Sequence, residues 1–97
     1  MKFLVELEAV FPASMDATAR AEVIAAERQT GRELRRSGVI EHIYRVPGTM
    51  ANVAIWEVGD VDTLHELLTS LPAYPWVTIK RVQALATHPL EQPLPEG

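Results

Sequence analysis

Residues 38–58, GVIEHIYRVPGTMANVAIWEV, constrain the fold more than any other stretch of the chain. Two apolar-rich runs flank Pro47-Gly48, and a proline followed by glycine between such runs marks a reversal. This predicts a β-hairpin with strands over 39–46 and 50–58. Its strands also carry His42, Tyr44, Arg45 and Asn52. Polar groups inside a sheet must find partners or face a cavity, so the hairpin reads as one wall of a small-molecule site.

The segments on either side complete a topology. Residues 2–11 alternate, with Phe3, Val5, Leu7, Ala9 and Phe11 on one face, which is the period of a strand. Pro12 ends it. Ser14 or Asp16 then caps a helix running to about Ser37, with Gly38 as its stop. Asp60 or Asp62 caps a second helix whose Leu64, Leu67, Leu68 and Leu71 share a stripe, and Pro72 stops it. Ala73-Tyr74-Pro75 leads into a last strand from Trp76 to about Ala86. The order β-α-β-β-α-β is the ferredoxin-like split motif, an α+β fold with a four-stranded antiparallel sheet and both helices on one face. Both faces of strands one and three carry apolar residues, which favours a second copy on the helix-free face and a dimeric α/β barrel. The domain is expected to span 1–88. Residues 89–97, with three of the seven prolines, read as an extended arm.

Composition narrows the partners. With 97 residues there is room for one domain, and 47% apolar residues can build a small core that oligomerisation would extend. A net charge of −4 weighs against nucleic acid or an anionic membrane as the main partner. There is no cysteine, so no thiolate nucleophile, disulfide or cysteine-bound metal. No apolar run approaches the roughly 18 residues of a membrane span, and the N-terminus lacks a signal-peptide pattern. A cytoplasmic domain is the expectation. His42, His65 and His88 lie on separate elements without helical metal-ligand spacing, and neither a phosphate loop nor a redox-cofactor fingerprint is present. No metal or cofactor is expected, which leaves side-chain acid/base chemistry.

Glu27 is the sharpest candidate for that chemistry. At about 100° per residue, Ala19, Ala26, Thr30, Leu34 and Ser37 fall within about 60° of Val23, while Arg28, Arg32, Arg35 and Arg36 fall on the far side. Glu27 lies about 40° from Val23, inside the apolar stripe. A desolvated carboxylate there would serve as a general base that later returns its proton; the alternative is a salt bridge to Arg20 or Arg45. His42 and Tyr44 share one strand face and could handle a carbonyl or a proton, whereas Arg45, suited to clamping a carboxylate, takes the opposite face. The alternative for all three is a half-exposed strand. Asn52 could bind a ligand or a neighbouring loop. His65 reads foremost as a helix-flank residue. Trp56 and Trp76 read as core or interface, with either able to line an apolar pocket.

With these residues in place, the chain resembles the muconolactone Δ-isomerase family along nearly its whole length. The resemblance runs through Pro12, Glu27, Leu34, Gly38, His42 and Arg45, then Gly48, Ala51 and Asn52, and closes with Leu64-His65, Leu71-Pro72, Pro75 and His88-Pro89. It implies a cofactor-free isomerase that moves a double bond in an unsaturated lactone in aromatic-compound catabolism. Glu27 matches the family acid and would be the base; in the isomerase reading the candidates His42 and Tyr44 act beside it, and Arg45, Asn52, His65, Tyr74 and Trp56 place the substrate. It also implies a homo-oligomer, a dimer paired through its sheets and up to a decamer of five dimers. The chain departs from the family pattern at Arg28, where Lys is usual, at Thr49-Met50 for His-Tyr, at Val53 for Tyr and at Tyr44 for Trp. A cofactor-free oxygenase or cyclase acting on an aromatic or polyketide-like compound, and a non-catalytic binding protein of the same fold, are the competing readings.

Overall fold

The computed structural model describes residues 1–91 and 93. Strand β1, Lys2–Ala9, is followed by helix α1, Ala17–Arg36, and by the hairpin of β2, Ile40–Arg45, and β3, Asn52–Glu57. Helix α2, Val61–Thr69, a single 3₁₀ turn, Tyr74–Trp76, and strand β4, Val77–Leu85, complete the domain. The strands form one sheet in the order β2-β3-β1-β4, antiparallel throughout. The expected ferredoxin-like α+β fold is therefore the observed one. Pro89–Glu91 makes a further 3₁₀ turn, so the arm expected over 89–97 begins with a helical turn; 92 and 94–97 lie outside the described residues.

Local chemistry sets the boundaries. Asp16, rather than Ser14, caps α1, its Oδ2 accepting from the Ala19 amide at 3.0 Å. Arg35 and Arg36 in the last turn oppose the negative end of the helix dipole. Gly38 then takes φ +81°, a left-handed conformation that glycine adopts without strain. The hairpin loop turns at Gly48, φ +77°. Thr49 tightens it, its hydroxyl donating to the Val46 carbonyl at 2.9 Å and accepting from the Ala51 amide at 3.0 Å. Asp60 caps α2 by accepting from the Thr63 amide at 2.7 Å. The α2 helix closes at Thr69, before Pro72, yet Leu71 beyond it is still buried.

Phe3, Val5 and Leu7 on β1 and Ala54 and Trp56 on β3 face the helices, and α2 covers them with Leu64 and Leu68. Trp56, Leu64 and Val5 are the largest side chains removed from solvent altogether. Helix α1 lies on the same side of the sheet, yet none of its 20 residues is buried. Its inward stripe comprises Ala19, Arg20, Val23, Ile24, Glu27, Thr30, Gly31 and Leu34, all half-buried, while Ala26 and Ser37 are exposed. The stripe is thus centred on Glu27, rotated from the one the sequence suggests. Between α1 and the sheet a space remains open.

Candidate active site

That space is a cavity of about 830 Å³, within the range of small-molecule sites. Leu7, Ala9, Ala54, Trp56 and Val77 give it an apolar floor, and Ile24, Glu27 and Leu34 look down from α1. The hairpin supplies Ile43, Arg45 and Asn52. Strand register explains the last three. Ile43 pairs with Ala54 and Arg45 with Asn52, so all four side chains project to the helix side.

Glu27 sits at the centre of the roof, half-buried, its Oε2 accepting from the Ala73 amide at 2.6 Å. The loop around Ala73 leaves that one N–H to give. Pro72 and Pro75 have none, while the Leu71, Tyr74 and Trp76 amides donate to the carbonyls of Leu68, Leu71 and Ala73. Oε1 has no partner among the described residues. Desolvation raises the Glu27 carboxyl from its ordinary value, and the Ala73 amide only partly offsets it by favouring the anion. Among the described residues no salt bridge to Arg20 or Arg45 forms, which removes the simplest structural reason for an acid at this position.

The other candidates scatter when placed in space. Arg45 and Asn52 join Glu27 at the cavity, and Trp56 forms part of its floor. His42 and Tyr44 do not join it. They pair with Ile55 and Val53 and project from the helix-free face, their rings stacked at 6.4 Å between centroids. The expected catalytic place beside Glu27 is therefore not theirs within one protomer. The irregularity in the β2–β3 pairing falls between Ile40 and His42, before both residues, and leaves them on one face. His65 stands on α2 over a smaller groove of about 160 Å³ shared with Ile79 and Val82 of β4, and that groove has no lining residue in common with Glu27's cavity. Tyr74 is exposed on the 3₁₀ turn and is not part of the cavity wall. Trp76 packs against Phe11 at 5.7 Å between ring centroids.

Two features of the site escape sequence reading. One is the Ala73 amide, a backbone donor 46 positions from the acid it holds, with no side-chain signal. The other is the reach of Arg28, Arg32, Arg35 and Arg36. Helical angles put them on the far side of α1, but their long side chains extend round the helix to the cavity mouth.

Fold and cavity together define a ferredoxin-like α+β protein whose helix–sheet pocket holds one desolvated, half-satisfied carboxylate suited to moving a proton. Comparison with known proteins makes the assignment specific. Residues 1–91 match the family model for muconolactone delta-isomerase, and the chain belongs to that family. It is 36% identical over 86 residues to the muconolactone Delta-isomerase of Rhodococcus opacus, covering 89% of this chain and 91% of the relative. With the enzyme of that name from Cupriavidus pinatubonensis the identity is 37% over 89 residues, covering 92% and 96%. A crystal structure of muconolactone isomerase superposes with a TM-score of 0.89 at 30% identity, each chain covered in full.

Proposed function

We propose that this chain is a cofactor-independent isomerase that shifts a carbon–carbon double bond within an unsaturated lactone of the muconolactone type, acting in the cytoplasm in aromatic-compound catabolism. Family membership supports the reaction class. The observation that carries the mechanism is Glu27: a desolvated carboxylate in the roof of a largely apolar cavity, one oxygen held by a backbone amide and the other open.

In an α,β-unsaturated lactone the γ C–H is acidic, because its removal delocalises the electron pair through the double bond to the carbonyl oxygen. Glu27 takes this proton through Oε1. The resulting dienolate carries its negative charge on the carbonyl oxygen, where Arg45 and Asn52 on the opposite wall can donate hydrogen bonds. Preorganised donors of this kind act most strongly as the charge develops. The protonated Glu27 then returns the proton at the α-carbon, and the double bond ends between the β- and γ-carbons. Atoms balance with no co-reactant. A carboxyl raised by desolvation suits both halves, since its basicity lies closer to that of the working solution than a solvated glutamate's.

The test is steady-state turnover of muconolactone. Glu27→Gln keeps the shape and the acceptor for the Ala73 amide, and is expected to fold normally while losing at least about a hundredfold in kcat. Turnover within a few-fold of wild type would remove Glu27 from the mechanism.

The helix-free face supports a homo-oligomer. Leu4, Val53 and Ile55 lie there beside exposed Tyr44 and Leu85. Two sheets packing through this face would bury them and give His42 and Tyr44 a structural role at the contact. Sedimentation of Tyr44→Glu is expected to show a smaller species than wild type, and an unchanged mass would count against pairing through this face.

A further inference from the structure

The charge around the cavity runs against that of the whole chain. The protein carries a net −4, yet six arginines (Arg20, Arg28, Arg32, Arg35, Arg36 and Arg45) and one acid, Glu27, border this space. Five of the six are exposed, so water serves whatever the protein does not. Three of those five also donate within the protein, Arg32 to the Gln29 side chain at 3.3 Å, Arg35 to the carbonyls of Ile40 and Glu41, and Arg45 to that of Met50.

Arg20 is different. It is the half-buried member of the set, and its guanidinium lies over the Phe11 ring, 5.8 Å from the centroid. One amino group donates to the Pro12 carbonyl at 3.4 Å. Its Nε is shut off from solvent with no acceptor among the described residues. No carboxylate among those residues forms a salt bridge with it. The guanidinium is thus held in orientation by an aromatic face and one long hydrogen bond, with no carboxylate among the described residues to balance its charge. It also stands on the same strip of α1 as Glu27. Seven residues separate them, two turns or about 10.5 Å along the axis, and only about 20° of rotation.

We propose that Arg20 anchors a carboxylate on the substrate, and so makes the enzyme select acid-bearing lactones over neutral ones. The inference rests on the isomerase reading and extends it. Muconolactone, the lactone of a dicarboxylic acid, keeps one free carboxylate. With that group on Arg20, the ring extends along α1 toward Glu27 and its carbonyl faces Arg45 and Asn52 on the sheet wall. The planar guanidinium offers its two terminal amino groups to two carboxylate oxygens at once, a geometry that lysine cannot reproduce. Phe11 and Pro12 hold the fork still, so little ordering remains to be done when the ligand arrives.

The experiment measures binding, separate from turnover. Wild type, Arg20→Met and Arg20→Lys are titrated by calorimetry with the saturated γ-lactone acetic acid and with its methyl ester, neither of which can isomerise. Wild type is expected to bind the acid at least about tenfold more tightly than the ester, as a paired charge-assisted contact requires. In Arg20→Met that preference should fall to within about twofold, and Arg20→Lys should lie between, since it keeps the charge and loses the fork. An acid preference that survives in Arg20→Met, or is absent from wild type, overturns the proposal. Should Arg20→Met fail to fold, Arg20→Lys decides, and an undiminished preference there overturns it equally. A wild type that prefers the acid through Arg20 yet turns over no unsaturated lactone would sustain the anchor and refute the isomerase reading alone.

Discussion

The two helices lie on the same face of one sheet and do opposite things. Helix α2 is short, and Leu64 and Leu68 seal it onto Phe3, Val5 and Trp56. Helix α1 is more than twice as long and buries none of its residues fully; it roofs a cavity instead of closing a core. The difference follows from what each presents inward. The α2 stripe is leucine. The α1 stripe mixes small residues, Ala19, Thr30 and Gly31, with Arg20 and Glu27, which can neither fill the space nor leave it. In a domain this small the stability of the fold is thereby concentrated on one side, and the other side is left free for chemistry.

This contrast can be broken by paired truncations. Leu64→Ala should lower unfolding free energy by about 2–5 kcal/mol, because it opens a void in a closed core. Ile24→Ala on α1 should lower it by under about 1 kcal/mol, because that side chain already borders open space, and should instead weaken substrate binding. Denaturant titrations of both variants check the ranking; equal losses would mean that α1 is as much core as α2.

A smaller effect sharpens the same point through pH. Because the Glu27 carboxyl is raised in the folded protein, the folded state holds its proton to higher pH than the unfolded chain does. The slope of stability with pH is then negative across that window. The contribution is fully present below the unfolded value and is lost as pH rises through the folded one. Glu27→Gln removes this loss. Its melting temperature should exceed that of wild type at neutral pH, and the two should converge as pH falls toward that of an ordinary carboxylate. A variant less stable than wild type at neutral pH would show that the acid serves the fold.

Much of this is legible in the chain. Proline and glycine punctuate it at Pro12, Gly38, Pro47-Gly48 and Pro72, and the period-2 pattern of β1 identifies its buried face, so the element order emerges without ambiguity. Glu27 stands out because an acid interrupts an apolar stripe. What stays hidden is three-dimensional. Alternation correctly opposes His42 and Tyr44 to Arg45, but a single strand does not say which face meets a helix; the register with Asn52 and Ala54 decides that. Azimuth on a helical wheel records where Cβ points, not where a four-bond arginine stem ends, which is why the wheel puts the cavity-mouth arginines on the far side. A backbone donor such as Ala73 leaves no trace in residue identity at all.

The central claim is that one carboxylate removes and returns a proton, and isotope exchange tests it most directly. Incubated with muconolactone in deuterated buffer, wild type should introduce deuterium at the α- or γ-carbon of the lactone at a measurable fraction of the turnover rate, set by how often the proton carried on Glu27 exchanges with solvent before its return, observed by ¹H NMR. Glu27→Gln should leave both positions protiated over the same period. Exchange that continues undiminished in Glu27→Gln would contradict the account.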